Sequence, residues 1–487
     1  MIRAELKGCI LLAVLLVLLR SAVWMFWEVS LNSDQAIVGL MAKHLSEFRT
    51  FPLFFYGQNY MLGVQSWIAV PFFWLGGPTV AMLRLPLVLI NAGVAAGFVV
   101  VLTRFGLRPV HAFVASLPFI ATTPIVSDAL LETIGASVEP FAYVLLLWAV
   151  RTRPVWFGVV FCIAHLHREF VVFAAPALAA AQWFERRWWT PAEFGRAVAV
   201  FTGVWILIDI LKRTVNAYGP AGGDYVSAPL SLQAQQVLKW LSFDPAPYFG
   251  RLQRAMAEAL PDMLGASRHA LTRYGVFGGI EAGSAVAGLA LGAAVVVCMA
   301  RLLSQARVSR GRSSGDAFVL YLAVIGSLTV LAYGLNTGIP PADAPVIRYL
   351  LFALLAPVAL FALFFLREQH SAWRAGVVAL VCSWAAFNVV DNTRLIRQFI
   401  QSPPPHPHRQ IADYLVAENI RYARAGYWDA YAITFLSAEK VIVASAEKVR
   451  ITAYQAAVAQ NSSTAVTLWR QPCGYQPQVS AWCVKKP

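Results

Sequence analysis

The sequence predicts an all-α polytopic membrane protein carrying a small C-terminal α/β domain, and three observations carry that prediction. First, 59% of the 487 residues are hydrophobic and only 13% charged, with a mean hydropathy of +0.61, which lies outside the range of soluble domains. Second, apolar runs long enough to cross a bilayer recur along most of the chain. Third, the composition turns polar after Asp391 and helix-like and strand-like stretches then alternate.

The net charge of +14 raises the question of nucleic acid. The Lys and Arg stand in short clusters between apolar runs, where lipid headgroups and membrane orientation account for them. No basic stripe with interleaved aromatics occurs, so no nucleic-acid partner is expected. The N-terminus "MIRAELKGCILLAVLLVLL" has basic residues before an apolar core but no small-residue cleavage site, and apolarity continues through Trp27. It reads as a retained first helix.

About eleven crossings are expected, near 8–27, 81–103, 109–126, 138–150, 154–167, 170–184, 197–212, 283–303, 316–335, 348–366 and 375–391. The piece 64–77, "VQSWIAVPFFWLGG", is short and contains Pro71. If it does not span, Arg3/Lys7, Arg104/Arg108, Arg151/Arg153, Arg186/Arg187, the 307–312 run and Arg367/Arg374 share one side, which the positive-inside rule makes cytoplasmic. It is therefore read as an interfacial or re-entrant helix. The exterior side then holds a long first loop (28–80), a second loop (127–137), a turn at 167–169, a large loop (213–282) and the C-terminus. Residues 1–391 form the membrane domain under this reading, and 392–487 a linker, with its stiff "SPPPHPH", and an exterior soluble domain. Cys9, Cys162, Cys298 and Cys382 lie in apolar runs as small hydrophobes. Cys473 and Cys483 share the tail, where an oxidising compartment would let them close a short loop.

The polar residues that break the pattern gather on the exterior side. Asp34 heads "SDQAIVGLMAKHL", an amphipathic stretch suited to the interface, and locally Ser33 or Asp34 reads as a helix cap. "FPLFFYGQNYMLG" offers Gln58, Asn59 and Tyr60 as sugar- or acceptor-contacting groups, in a composition that aromatic belts also produce. The second loop supplies Asp128, Glu132 and Glu139; Asp128 and Glu132 would share a face on a helix and position a donor or a metal. "IAHLHREFVVF" sets His165, His167, Arg168 and Glu169 within apolar sequence, a costly placement unless they are paired or face water. Arg168 suits a phosphate; His165 and Glu169, at helical spacing, could position a donor or a metal, although two His and one Glu are too few to identify zinc. Arg348, in "PVIRYLLFALLAP", falls at an exterior helix mouth, where a lipid phosphate would satisfy its charge and its fork of donors.

These pieces together resemble the GT-C superfamily of membrane glycosyltransferases, which includes protein O-mannosyltransferases and aminoarabinose transferases. The likeness rests on the first-loop acid, "YGQNYMLG", "AMLRLPLVL", the second-loop acids and "IRYLLFALLAP", in that order along most of the membrane portion. The resemblance implies a polyprenyl-phosphate-sugar donor entering from the bilayer, Asp34 as general base, Asp128 or Glu132 positioning donor or metal, and Arg168 and Arg348 holding phosphate. Two positions depart from the family pattern: Gln35 stands where a second acid is common, and "HLHRE" where a lysine is common. The "WWD" sequence of oligosaccharyltransferases is absent; "YWDAY" at 427–431 lies in the tail and is not equivalent.

The expected function is inverting transfer of a hexose or pentose from a polyprenyl-phosphate donor to a hydroxyl on a lipid, glycan or protein. The expected setting is the exterior face of a bacterial inner membrane, with the N-terminus cytoplasmic. Besides the donor and acceptor, the bilayer is the expected partner; a divalent metal is left open as cofactor. A transporter or flippase of lipid-linked saccharide is the alternative from another class, although no repeat relates the two halves as many transporters require. A non-glycosyl membrane transferase also fits acids beside phosphate-binding arginines.

Overall fold

The computed structural model describes residues 2–58, 61–134, 137–215, 243–267, 281–305, 313–336, 345–473 and 478–486. Helix dominates, because in a hydrocarbon setting each backbone donor and acceptor must be satisfied within its own segment. In chain order the first helices are α1 (Ile2–Phe26), α2 (Ser33–Ser46), α3 (Val64–Gly76), α4 (Val80–Arg104), α5 (Pro109–Ile120), α6 (Pro124–Ala129), α7 (Glu139–Val150), α8 (Pro154–His167), α9 (Ala174–Glu185) and α10 (Pro191–Val215). Pro245–Arg254, Glu281–Gln305, Ser314–Tyr333, Leu355–Arg367 and Ser371–Gln401 follow. Among the described residues seven helices are long and apolar enough to cross a membrane: Arg3–Phe26, Val80–Arg104, Pro191–Lys212, Ala285–Gln305, Ser314–Tyr333, Ile347–Arg367 and Ser371–Gln401. The chain is a multi-pass membrane protein. Helices stand at each of the eleven stretches expected from the sequence, but several are short: α5, α7 and α8 have 12, 12 and 14 residues.

One continuous apolar core runs through the bundle from Val17 and Phe98 to Phe361 and Trp384. Several polar groups inside it are paired with neighbouring helices. Arg20 on α1 donates to Asn91 Oδ1 at 2.7 Å and to the Ile120 carbonyl at 3.1 Å, tying α1, α4 and α5 together. Helix α3 has 13 residues, a length of roughly 20 Å against a hydrocarbon core of about 30 Å. It packs against α2 and α4.

The helix Ser371–Gln401 runs past Asp391, where the composition had turned polar, because Asn388, Asp391, Asn392 and Leu395 are buried against the bundle. Asn388 and Asn392 donate to the carbonyls of Ala121 and Thr122 at 3.0 Å each. The segment 402–406 then leads into a five-stranded sheet of order β2-β1-β3-β5-β4. Its strands are β1 (Tyr422–Ala425), β2 (Ile442–Ser445), β3 (Val466–Arg470), β4 (Gln478–Val479) and β5 (Trp482–Lys485). β1 pairs in parallel with β2 and β3, and β5 runs antiparallel to β3 and β4. The helices Pro407–Ala417, Tyr427–Leu436 and Thr452–Gln460 accompany the sheet. Cys473 and Cys483 are joined by a disulfide, with Cα atoms 5.1 Å apart.

The second large core is shared. Ile37, Leu40 and Met41 of α2, with Phe73 of α3, are buried in one cluster with Ile433, Phe435, Val443 and Trp482 of the C-terminal unit. The first loop therefore belongs to the C-terminal unit by packing, although hundreds of residues separate the two in sequence.

Candidate functional site

The site begins at the head of α2. Asn32, with an extended backbone, is the cap: its side chain accepts from the Gln35 N–H at 3.1 Å. Neither Ser33 nor Asp34 fills that role, so the local reading of Asp34 as a cap is corrected and its carboxylate is released for other partners. Asp34 lies in the first turn, where the helix dipole favours a negative charge. Gln35, beside it, turns away into a buried cluster: its Oε1 accepts from Arg84 at 3.0 Å and its Nε2 donates to the Ser30 carbonyl at 2.8 Å. Arg84 also donates to the Trp24 and Trp27 carbonyls at 2.6 and 2.8 Å. The uncharged amide at position 35 thus anchors the start of α2 to α1 and α4.

A cavity of about 450 Å³ opens beside Asp34. Asp34, Gln58, His165, Arg168, Glu169 and Arg348 all line it, together with apolar walls from Phe55, Met61, Phe170, Val172, Phe173 and Tyr349. Six of the residues expected from sequence thus meet at one place. Asn59 and Tyr60 lie outside the described residues.

Local backbone breaks aim the arginines. α8 ends at His167, and Arg168 adopts an extended conformation (φ −154°, ψ 119°) before a 3-10 turn from Glu169 to Phe173. That break interrupts the helical spacing expected of His165 and Glu169. Arg168 is buried, 5.2 Å over the Phe170 ring and 4.0 Å from Glu169, and its Nη1 lies 3.3 Å from the Met61 sulfur. Among the described residues its Nε has no hydrogen-bond partner. His165 is ringed by Phe161, Phe201 and Trp205. Arg348 sits on the 3-10 segment Ile347–Leu354, its guanidinium 3.9 Å from Glu132 and stacked 5.0 Å over Tyr349; among the described residues its buried Nε is also unpartnered. The buried Arg168 and the half-buried Arg348 thus bring two guanidinium groups to one apolar-walled cavity, an arrangement chemically suited to an anion.

The second-loop acids stand behind this wall. α6 stops at Ala129, so Asp128 lies within the helix and Glu132 beyond its end; the shared helical face expected of them does not form. Neither lines the cavity. Burial pushes the Glu132 carboxyl up to about 7, with Arg348 opposing and Asp128 adding to the rise. Among the described residues no group of three or more His, Cys, Asp or Glu side chains converges as a metal site. The donor set among the described residues, pairs at most, does not fit a divalent ion.

The residues that sequence reasoning missed come from the C-terminal unit. The Tyr427 hydroxyl donates a short hydrogen bond to Asp34 Oδ1. Arg450 Nε lies 3.3 Å from the Tyr427 oxygen, while its Nη1 donates to the Gly57 carbonyl, next to Gln58. Gly57 has φ +74°, and a Cβ there would meet Arg450 Cδ at 2.3 Å, so glycine is required for both backbone and space. Tyr427 belongs to the "YWDAY" stretch; only pairing across the fold reveals its partner.

Glu439 fastens the two units. It accepts from Lys43 and Arg49 at 2.6 Å each, from Tyr454 at 2.6 Å, and lies 3.0 Å from His44 Nε2. Glu28 and Arg409 add a bidentate pair at 2.6 and 2.9 Å.

No protein-family model matches the sequence, and no curated protein matches it. The structure is similar to the crystal structure of ArnT from Cupriavidus metallidurans bound to undecaprenyl phosphate, with a TM-score of 0.61 at 11% identity, covering 97% of each chain. The crystal structure of the same protein in the apo state aligns at a TM-score of 0.44 and 13% identity, over 98% of each chain. Across nearly its whole length, from the membrane helices to the C-terminal sheet, this chain therefore has a fold like that of ArnT.

Proposed function

We propose that the protein is an inverting glycosyltransferase that moves a sugar from a polyprenyl-phosphate donor to an acceptor hydroxyl at the exterior membrane face. One observation carries the reading: a single cavity is lined at once by the Asp34 carboxylate and by the guanidinium groups of Arg168 and Arg348. The fold adds support, since a structural neighbour is an ArnT bound to undecaprenyl phosphate.

The apolar wall suits the lipid, and the guanidinium groups of Arg168 and Arg348 suit its phosphate. Asp34 takes the proton of the acceptor hydroxyl as its oxygen attacks the anomeric carbon. The bond from that carbon to the phosphate oxygen breaks, and the electron pair leaves with the phosphate. The two arginines stabilise that charge most in the transition state. A single displacement inverts the anomeric configuration, as in one-step glycosidases. Gln58, which lines the cavity next to the Gly57 carbonyl that Arg450 binds, would touch sugar or acceptor. His165 and Glu169 line the same wall, Glu169 holding Arg168 in place. The disulfide suits an oxidising, exterior compartment for the C-terminal unit, consistent with an inner-membrane protein whose N-terminus is cytoplasmic.

Asp34→Asn tests the reading. The variant should bind undecaprenyl phosphate like wild type but lose transfer of radiolabelled sugar from the polyprenyl-phosphate-sugar fraction of the source membranes. Full transfer by the variant would refute the base assignment. Translocation of labelled lipid across vesicles without glycosidic chemistry would instead identify a flippase.

A further inference from the structure

We propose that Tyr427, from the C-terminal unit, is a positioning residue for the Asp34 carboxylate, so that this unit completes the site across the membrane-domain boundary. The proposal rests on the reading of Asp34 as the base.

The observations form a chain of contacts. Tyr427 begins the helix Tyr427–Leu436, and its hydroxyl donates to Asp34 Oδ1. Arg450 Nε donates to the same phenol oxygen, which lets one oxygen accept from the arginine while donating to the acid. Arg450 is fixed in turn: its backbone N–H donates to the Tyr431 hydroxyl at 2.6 Å, one helical turn along from Tyr427. Burial, followed by the Asp34 charge, raises the Tyr427 phenol above its ordinary value, so it stays a donor throughout the neutral range. The helix itself cannot drift, because Phe435 packs over Gly39 of α2 and Glu439 is gripped by Lys43, His44 and Arg49.

The chemical consequence follows from a carboxylate's two oxygens. With Oδ1 held by Tyr427, rotation about the Cβ–Cγ bond is suppressed and Oδ2 is left to take the acceptor's proton. Such a base pre-pays the ordering that the transition state requires. The charge-assisted bond strengthens as the phenol becomes a better donor, so the bond's strength should set the rate. A tyrosine serving only to dock the two units would affect stability alone.

The test uses the full chain in lipid nanodiscs, with undecaprenyl phosphate as binding probe and the radiolabelled polyprenyl-phosphate-sugar fraction of the source membranes for turnover. Tyr427→Phe should leave undecaprenyl phosphate affinity unchanged and lower kcat about tenfold to a hundredfold. In an Asp34→Asn background the same change should cost nothing further in kcat, since the two residues act as one unit. Fluorinated tyrosines placed at 427 keep the ring and hydroxyl and so keep the fold should Tyr427→Phe lose it; kcat should change in step as the phenol becomes more acidic. Wild-type kcat for Tyr427→Phe, or a flat fluorotyrosine series, overturns the proposal. If Asp34→Asn stays active, the base reading fails and the proposal with it; if Asp34→Asn is dead while Tyr427→Phe is intact, only the positioning role fails.

Discussion

Glu132 offers a quantitative check on the electrostatics of the arginine wall. Its carboxyl lies 3.9 Å from Arg348 with the side chain 23% exposed, and burial raises it from an ordinary 4.5 to about 7. A rise of that size corresponds to roughly 3 kcal/mol of resistance to ionisation. The folded protein keeps the Glu132 proton over the window from about pH 4.5 to about pH 7, where the unfolded chain has released it. Stability from this group is therefore full below about pH 4.5 and is lost as pH rises through about 7. Glu132→Gln removes the titration. Unfolding free energies of both proteins, measured in detergent from pH 5 to pH 8.5, should diverge in the variant's favour by about 3 kcal/mol across the window. Undecaprenyl phosphate binding gives a second readout: anionic phosphate beside Arg348 competes with ionised Glu132, so the variant should bind more tightly than wild type above about pH 7 and equally at about pH 5.5. The titration of the phosphate itself is common to both proteins and cancels in the comparison. Parallel stability curves would refute the reasoning, because they would mean that Glu132 is ionised throughout as an ordinary partner of Arg348.

Two further outcomes test the seam between the units. Glu439→Ala leaves Lys43, His44 and Arg49 without their shared acceptor; a loss of about 3–5 kcal/mol is expected, read as a lowered melting temperature and faster proteolysis at 402–406. In the folded protein burial raises Glu439, but hydrogen bonds from His44, Arg49 and Lys43 override it and hold the carboxyl far below the usual range. Its contribution is therefore present above about pH 4.5 and lost only in stronger acid, so the deficit of Glu439→Ala should shrink as pH falls below that value. Gly39→Ala would place a Cβ 2.5 Å from the Phe435 ring, and such overpacking costs about 1–3 kcal/mol. A melting curve matching wild type for Gly39→Ala would show that the two helices are not held in register.

Much of the site was legible because a membrane makes polar residues conspicuous. Asp34, Arg168 and Arg348 stand out against apolar neighbours, and the positive-inside rule is enough to expect them on one side. Other parts were not legible. Asn32 and Asp34 are both good caps, and the choice between them depends on backbone angles at Asn32. Asp128 and Glu132 have helical spacing, yet α6 ends between them. Tyr427 carries no local signal, since an aromatic beside Trp428 in a soluble tail is ordinary.

The sequence by itself determined the helical membrane architecture, the polar C-terminal unit with its β1 and β2 stretches, and the short list of charged residues that could face a phosphate. These follow from hydropathy and period, which are local properties. Only the tertiary structure decided that α2 shares a core with the C-terminal sheet, that Gln35 is an anchor for Arg84, and that Tyr427 and Arg450 close over Asp34. Those outcomes depend on contacts between residues from 49 to nearly four hundred positions apart, and pairing across such distances is set by packing of whole units, which no window of sequence contains.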